Sequence, residues 1–408
     1  MLSDSSVTLF MGMWCVLVFA VLLPLASPAA VYYVDQNNPK AFDSNAGTEE
    51  RPWKTPYAWI DKVVAGDTVL VKAGTYKVVQ GGSWSTPALN PKNEGKLGSP
   101  ITFKAHPGHR VVLEGDNGSA TIGSNNRDYI VVDGFTVSRG HIAVFGAPSS
   151  RLKGIVIQNN IIREKFCDLA QTGNCEAIRL EHVSGAKAVN NLMFNVYNRQ
   201  RDHNSAGFKL YHVDNTIIEN NEIYDTNQGV FLKVDADDNI VRYNYIRDTA
   251  RGIGIWAGIK HVHSNNRVYG NIIAHSKIHG MYIAGTPQSN VGTKIYNNTV
   301  VKAASAAYAI ESDIRDVQVW NNIAYDSPKS GIDANTNPPF SYCDHNLYYL
   351  TTRGCGASSL RTDPRFVSAF MRSPGDFKLQ AQSPAREAGR NGEDIGAYAT
   401  GREVIGLP

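Results

Sequence analysis

The stretch Ile218–Ile246, IENNEIYDTNQGVFLKVDADDNIVRYNYI, holds one full period of the chain, and the rest is read outward from it. It begins and ends on one phrase: apolar, any residue, a polar residue, Asn, any residue, apolar. Between the two copies lies GVFLKV, in which apolar residues alternate with others. Alternation of period two marks a strand with one face inside. The first phrase recurs as IQNNII (157–162), VNNLMF (189–194), VYGNII (268–273), IYNNTV (295–300) and VWNNIA (319–324). Its Asn falls at Asn160, Asn191, Asn221, Asn244, Asn271, Asn298 and Asn322, in steps of 31, 30, 23, 27, 27 and 24 residues. Asn346 in CDHNLYY extends the series, and Gly134 in VVDGFTV is read as its forerunner.

The alternating phrase recurs as AIRLEHV (177–183), GFKLYHV (207–213), GIGIWAG (252–258), GMYIAG (280–285) and AYAIES (307–312). Units of this length, with short strands and no helical period, predict an all-β solenoid in which each unit is one coil. The coils stack at the spacing of parallel strands. The repeated Asn is expected to form an internal ladder, its amide satisfying backbone groups stranded at a turn. Thr55-Pro56 followed by YAWIDKVV (57–64) and Gly66 reads as a short helix plugging the N-terminal end. Thr68–Val71 is read as the start of the first coil.

The opening VYYVDQN, DSNAGTEERPWKT and AGDTVLVKAGTY, with the close TDPRFV, DFKLQAQSPAREAG and DIGAY, resembles bacterial right-handed parallel β-helix proteins over nearly the whole chain. The resemblance implies the pectate-lyase-like superfamily, whose members are mostly lyases, hydrolases and epimerases of glycans. It does not extend to the motifs that carry any one reaction. The Asn-Lys-Ser and Arg-His-Gly phrases of chondroitinase B and its alginate-lyase relatives are absent, as are the hydrolase Gly-His-Gly and the epimerase Asp-Pro-His.

Composition agrees with an exported folded protein. The chain has 408 residues, 42% hydrophobic and 19% charged, with a formal charge of +3 and no long basic run, so nucleic acid is not an expected partner. Leu9–Ala26 is almost wholly apolar and leads into ASPAA (26–30). This reads as a secretory signal over residues 1–30; the apolar run is also long enough for a retained anchor. The expected layout is then one β-helix domain over 31–408: an N-terminal cap to about 66, coils over 67–350 and an irregular C-terminal cap over 351–408. Secretion or periplasmic export and a monomer are expected, without membrane attachment after cleavage. Beyond Cys15 in the leader, Cys167 with Cys175 and Cys343 with Cys355 read as two local disulfides. A zinc site is the rival, but neither pair has the short gap typical of zinc ligands.

In a solenoid the residues between inward apolar ones point outward and stack in columns. One column reads Arg179, Lys209, Phe231, Gly254, Tyr282 and Ala309; the next reads Glu181, Tyr211, Lys233, Trp256, Ala284 and Glu311. Three cations and three aromatic side chains thus fall on one strip about 15 Å long. β-Elimination of a uronate needs a cation to neutralise the carboxylate, a base for the α-proton and an acid for the leaving oxygen. Lys233 or Lys209 is the candidate base, its pKa depressed by neighbouring cations. Arg179 is the candidate neutralising cation and Tyr211 the acid. Trp256, Glu181, Tyr282, His203 and His212 are candidate sugar contacts, and His182 is expected to stack on His212. Arg199–Asn204 reads as an inserted loop walling the groove. No cofactor is required by this chemistry. Asp235, Asp237 and Asp238 offer one metal reading, calcium, against which stands a plain polar turn. His261 with His263 offers a weaker metal reading. The strip could also be solvated charge, so the expectation is a polysaccharide lyase of an acidic glycan, with a glycoside hydrolase or a non-catalytic glycan-binding protein as alternatives.

Overall fold

A computed structural model describes residues 29–168, 173–200, 204–258, 263–285, 290–311, 314–334 and 340–408. Residues 1–28 of the expected leader (1–30), with His203 and His261, lie outside the described residues. Among the described residues no helix is long and apolar enough to cross a membrane.

The chain winds through three parallel sheets of 12, 11 and 9 strands, each coil giving one strand to each sheet in turn. One coil contributes Lys187–Val189, Leu192–Asn198 and Ala206–Asp214. The next contributes Ile217–Glu219, Glu222–Thr226 and Gln228–Lys233. The inward residues of the alternating phrase, among them Leu180, Leu210, Leu232, Ile255 and Ile283, are buried and stack along the axis. Each such side chain contributes roughly 1.5–3 kcal/mol of burial.

Each repeated Asn bridges to the next coil. The Asn221 backbone N–H and Nδ2 both donate to Asn244 Oδ1, at 3.0 and 2.9 Å, and Asn244 repeats this on Asn271 Oδ1 at 3.1 and 2.9 Å. The ladder runs from Asn160 to Asn346. Ahead of each rung sits a residue at positive φ: Asn159, Asn190, Asn220, Tyr243, Gly270, Asn297, Asn321 and His345. That bend explains the frequent Asn or Gly there. The forerunner needs a shift of one residue. Phe135 occupies the rung, its N–H donating to Asn160 Oδ1 at 3.0 Å, while Gly134 takes the positive-φ position. A second, shorter ladder passes from Thr216 through Asn239 to Asn266.

The corner between the 11- and 9-strand sheets is tight. A Cβ on Gly207 would lie 2.8 Å from Ile223 Cγ2, and Gly229, Gly252 and Gly280 meet Ile246, Ile273 and Val300 in the same way. A side chain has no room where the inner faces of the two sheets converge.

The N-terminal end corrects the expected helix. Only a 3₁₀ turn, Pro56–Trp59, forms there. Thr55 makes no side-chain cap bond, and Trp59 turns fully inward to stack on Phe103 at 4.7 Å. Two aromatics and two consecutive valines make YAWIDKVV a weak helix former once tertiary packing claims Trp59 and Val63. The first strand is Val31–Val34, paired with Thr68–Val71, so the 12-strand sheet begins before the expected first coil. The C-terminal tail is irregular, as expected, but runs back along the rod. Phe366, Phe377, Ile395 and Ile405 cover Tyr245, Ile272, Ile323 and Leu347 on the outer face of the 11-strand sheet. The Gly406 N–H reaches Tyr243 O at 2.9 Å. Both expected disulfides, Cys167–Cys175 and Cys343–Cys355, are present.

Candidate functional site

Strand pairing in the 9-strand sheet carries both outward columns without a slip. Arg179 pairs with Lys209, Lys209 with Phe231, Phe231 with Gly254 and Gly254 with Tyr282. Beside them Glu181 pairs with Tyr211, Tyr211 with Lys233 and Lys233 with Trp256. The strip therefore exists on one wall, and depth separates its members.

Arg179 is 5% exposed and Lys209 1%. Trp84, from a turn far upstream, and Phe145 lie against the Arg179 guanidinium at 4.5 and 5.6 Å. The Lys209 amine meets Glu176 Oε1 at 3.0 Å, Asn174 Oδ1 at 2.6 Å, and the carbonyl and side-chain oxygens of Asn204 at 3.0 and 2.9 Å. Three ammonium protons are more than used by four acceptors. This corrects the expectation of a solvent-facing Lys209 base and a solvent-facing Arg179. Both are the buried cationic floor of the wall.

Glu176, Lys165 and His141 complete that floor, and none was read from the sequence. Glu176 is fully buried and accepts from Arg179 Nη1 at 3.0 Å as well as from Lys209. Its other oxygen, Oε2, has no hydrogen-bond partner among the described residues. Lys165 Nζ lies 2.7 Å from His141 Nδ1, and His141 Nε2 lies 3.1 Å from Trp84 O. Burial and the adjacent Lys165 push the imidazole down to about 3, so it is neutral. Its Nε2–H then donates to the carbonyl, and Nδ1 accepts from Lys165. Burial lowers both Lys165 and Lys209 to about 8, against the pull of Glu176. Burial alone would raise Glu176, but Lys209, Arg179, Lys165 and His141 outweigh it and hold the carboxyl at about 2.

The Glu176 shift has a stability consequence. A carboxyl depressed in the fold adds stability above its ordinary pKa of 4.5, lost as pH falls through about 2. Resistance of the parent to chemical unfolding should therefore fall as pH drops across that window. Glu176→Gln should flatten the dependence and lower stability at neutral pH, where two buried cations lose their counter-ion. An unchanged slope would show that the carboxylate is not anchored as described.

Above the floor, Glu181, Tyr211, His212, Lys233, Trp256 and Tyr282 are partly open. Lys233 Nζ lies 5.0 Å from the Trp256 ring and 5.8 Å from Phe231, and donates to Asn204 Oδ1 at 2.8 Å. Burial, then the Arg179 charge, lower its pKa below the ordinary 10.5. Burial and Glu181 raise Tyr211, which stays protonated at neutral pH. Arg179 Nη2 holds Glu181 Oε2 at 2.6 Å. Tyr282 donates to Glu311 Oε1 at 2.6 Å. His182 and His212 stack as expected, ring centroids 4.5 Å apart, and His212 Nδ1 pairs with Asp235 Oδ2 at 3.0 Å.

The calcium reading is corrected. Asp235 is engaged by His212, and Asp237 Oδ1 accepts from the Ser264 N–H at 2.7 Å. Asp238 takes a positive-φ turn position. Among the described residues no three His, Cys, Asp or Glu gather as a metal-holding group.

The three stacked parallel sheets define a parallel β-helix of pectate-lyase-like architecture, and its two disulfides suit a setting outside the cytoplasm. Within that class the chain belongs to the NosD family, described as periplasmic copper-binding protein, which matches residues 119–326. Over 80 residues it is 34% identical to the uncharacterized protein YwoF of Bacillus subtilis, covering 20% of this chain and 15% of that one. Over 101 residues it is 29% identical to pectate lyase PEL9 of Emericella nidulans, covering 24% and 22%. These matches span only about a fifth of either relative's length. In fold the chain is similar to pectate lyase Pel9A, at 17% identity and a TM-score of 0.63 over 91% of this chain and 96% of that one. It is also similar to XylC, solved in complex with xylose, at 14% identity and a TM-score of 0.55 over 82% and 87%.

The family description raises copper, which takes imidazole, thiolate and thioether ligands. All four described cysteines are tied in disulfides. The His182 and His212 rings are parallel to within 4°, so their in-plane lone pairs point side by side and do not converge on one ion. The described residues do not fit a copper centre.

Proposed function

We propose that this protein is an exported polysaccharide lyase that cleaves a uronate-containing glycan by β-elimination. The observation that carries this reading is Lys233: partly open, desolvated, beside the Arg179 charge and against the face of Trp256. A lysine so placed has a larger neutral fraction near physiological pH than an ordinary one, and so works as a base. In the reaction, Lys233 Nζ takes the C5 proton of a uronate. The electron pair forms the C4–C5 double bond as the C4–O bond breaks, and the Tyr211 hydroxyl protonates the departing oxygen. Tyr211 and Lys233 are strand partners, so the proton held by Lys233 has a short return path to the phenolate. Arg179, Lys209 and Lys165 outnumber the carboxylates of Glu176 and Glu181 by one, and that excess positive charge favours charge on the substrate carboxylate. Trp256 offers a ring face for a sugar. No step requires a metal.

The test is incubation of the full chain with pectate, alginate, chondroitin and heparin while following the absorbance of the conjugated double bond. Growth on one of these supports elimination; new reducing ends without absorbance would mean hydrolysis. A second reading is a non-catalytic exported protein gripping glycan through Tyr211, Trp256 and Tyr282; the family description, which names copper binding and no reaction, leaves room for a protein without catalysis. Binding with neither absorbance nor new ends supports it.

A further inference from the structure

Next to the buried floor a cleft of about 600 Å³ opens on the side facing the first disulfide. Trp84, Phe166, Asn117, Asn174 and Lys165 line it, with Asp168 also on its wall. Its size is that of a small-ligand site. Its polar groups have one character. Lys165 is 1% exposed and, among the described residues, its ammonium makes a single hydrogen bond, to His141, leaving two N–H bonds to satisfy. The indole N–H of Trp84 is buried and has no acceptor among the described residues. The Asn117 carbonyl oxygen accepts from the Phe166 N–H at 3.2 Å, which leaves its amide nitrogen as a further donor.

Two side-chain acceptors on the cleft wall are already engaged. Asn174 Oδ1 takes Lys209 at 2.6 Å and Asn204 Nδ2 at 2.8 Å. Asp168 is paired with Arg199 at 3.7 Å. Buried donors without acceptors are costly, and a ligand rich in acceptor oxygens relieves that cost. Aromatic walls at Trp84 and Phe166 suit the apolar faces of a pyranose ring.

We propose that this cleft binds a carboxylate-bearing sugar unit, with Lys165 as its cation and Trp84 and Asn117 as further donors. The proposal deepens the lyase reading, on which it rests for the substrate class, by giving the glycan a second anchoring point next to Lys233's wall. Lys165 is a binding residue here and takes no part in proton transfer.

Calorimetric titration of the full chain with trisaccharides of galacturonate, mannuronate and glucuronate tests it, each beside its carboxyl-reduced, neutral counterpart. At least one charged trisaccharide should bind more than tenfold tighter than its neutral form. Lys165→Gln should abolish that preference, and Lys233→Ala should keep it. Trp84→Phe, which keeps the ring and removes the N–H, and Asn117→Ala should each weaken the charged ligand several-fold, and they carry the test if Lys165→Gln fails to fold. Failure of every charged trisaccharide to bind, equal affinity for charged and neutral forms, or a preference that survives all three cleft substitutions would overturn the proposal. Elimination without a Lys165-dependent preference sinks the cleft and leaves the proposed activity standing; the preference without elimination does the reverse.

Discussion

Lys233→Ala is expected to abolish elimination, with a fall in kcat/KM of about a thousandfold, within the range that loss of a general base costs. The fold should survive, because Lys233 ends its strand on the outer wall and, among the described residues, its ammonium makes one hydrogen bond, to Asn204, besides lying against the Trp256 and Phe231 rings. Lys233→Arg sharpens the result. It restores a cation over Trp256 but not a base, since guanidinium stays protonated at any working pH. If the lysine acts as a base, arginine should be as inactive as alanine. Substantial activity in the arginine variant would reassign Lys233 to charge stabilisation. Steady-state rates at several pH values, with a melting curve for each variant, decide the matter.

The second large effect is on stability. Asn244→Ala should cost about 4 kcal/mol, two stranded donors at roughly 2 kcal/mol each. Asn244 Oδ1 is the acceptor for both the N–H and the Nδ2 of Asn221, and its own Nδ2 serves Ile218 O at 3.0 Å and Arg242 O at 2.9 Å. All of these lie inside the rod, where water does not replace them. The exposed strand residue Lys187 is the comparison: Lys187→Ala should stay within about 0.5 kcal/mol of the parent. Solenoids open locally, so hydrogen exchange should show the loss concentrated in the coils on either side of residue 244. Equal loss in the two variants would mean that the ladder does not bear on stability.

The ladder was legible because a turn repeated in every coil demands the same side chain each time, and repetition is visible in one sequence. The columns were legible for a related reason. Parallel coils transmit register from Arg179 to Lys209 to Phe231 with no hairpin to shift it. Depth was not legible. Arg179 is buried by Trp84, from far upstream, and by Phe145, one coil before the strip, and Lys209 by Asn174 and Asn204 from the segments that lead into the strands. Glu176 was missed because strict alternation sends it inward beside Ile178. Ala177 and Ile178 both lie in the core, so the alternation breaks between them, and the carboxylate instead meets the outward Arg179 and Lys209. Lys165 follows Glu164, whose positive φ breaks the alternation of its own strand. The expected capping helix failed on side-chain packing, since Trp59 is worth more inside the first coil than in a regular helix. The calcium reading counted carboxylates in sequence, whereas His212 and Ser264 had already divided them in space.

The claim beneath the proposed chemistry is that Lys233 reacts in its uncharged form. Carbon-13 titration of the lysine side chains, with Lys233 assigned through Lys233→Gln, measures this directly beside the pH dependence of kcat/KM. The account predicts a Lys233 midpoint below the ordinary 10.5 that coincides with the acid-side limb of the rate profile. A midpoint at the ordinary lysine value, or a rate profile indifferent to it, would contradict the account.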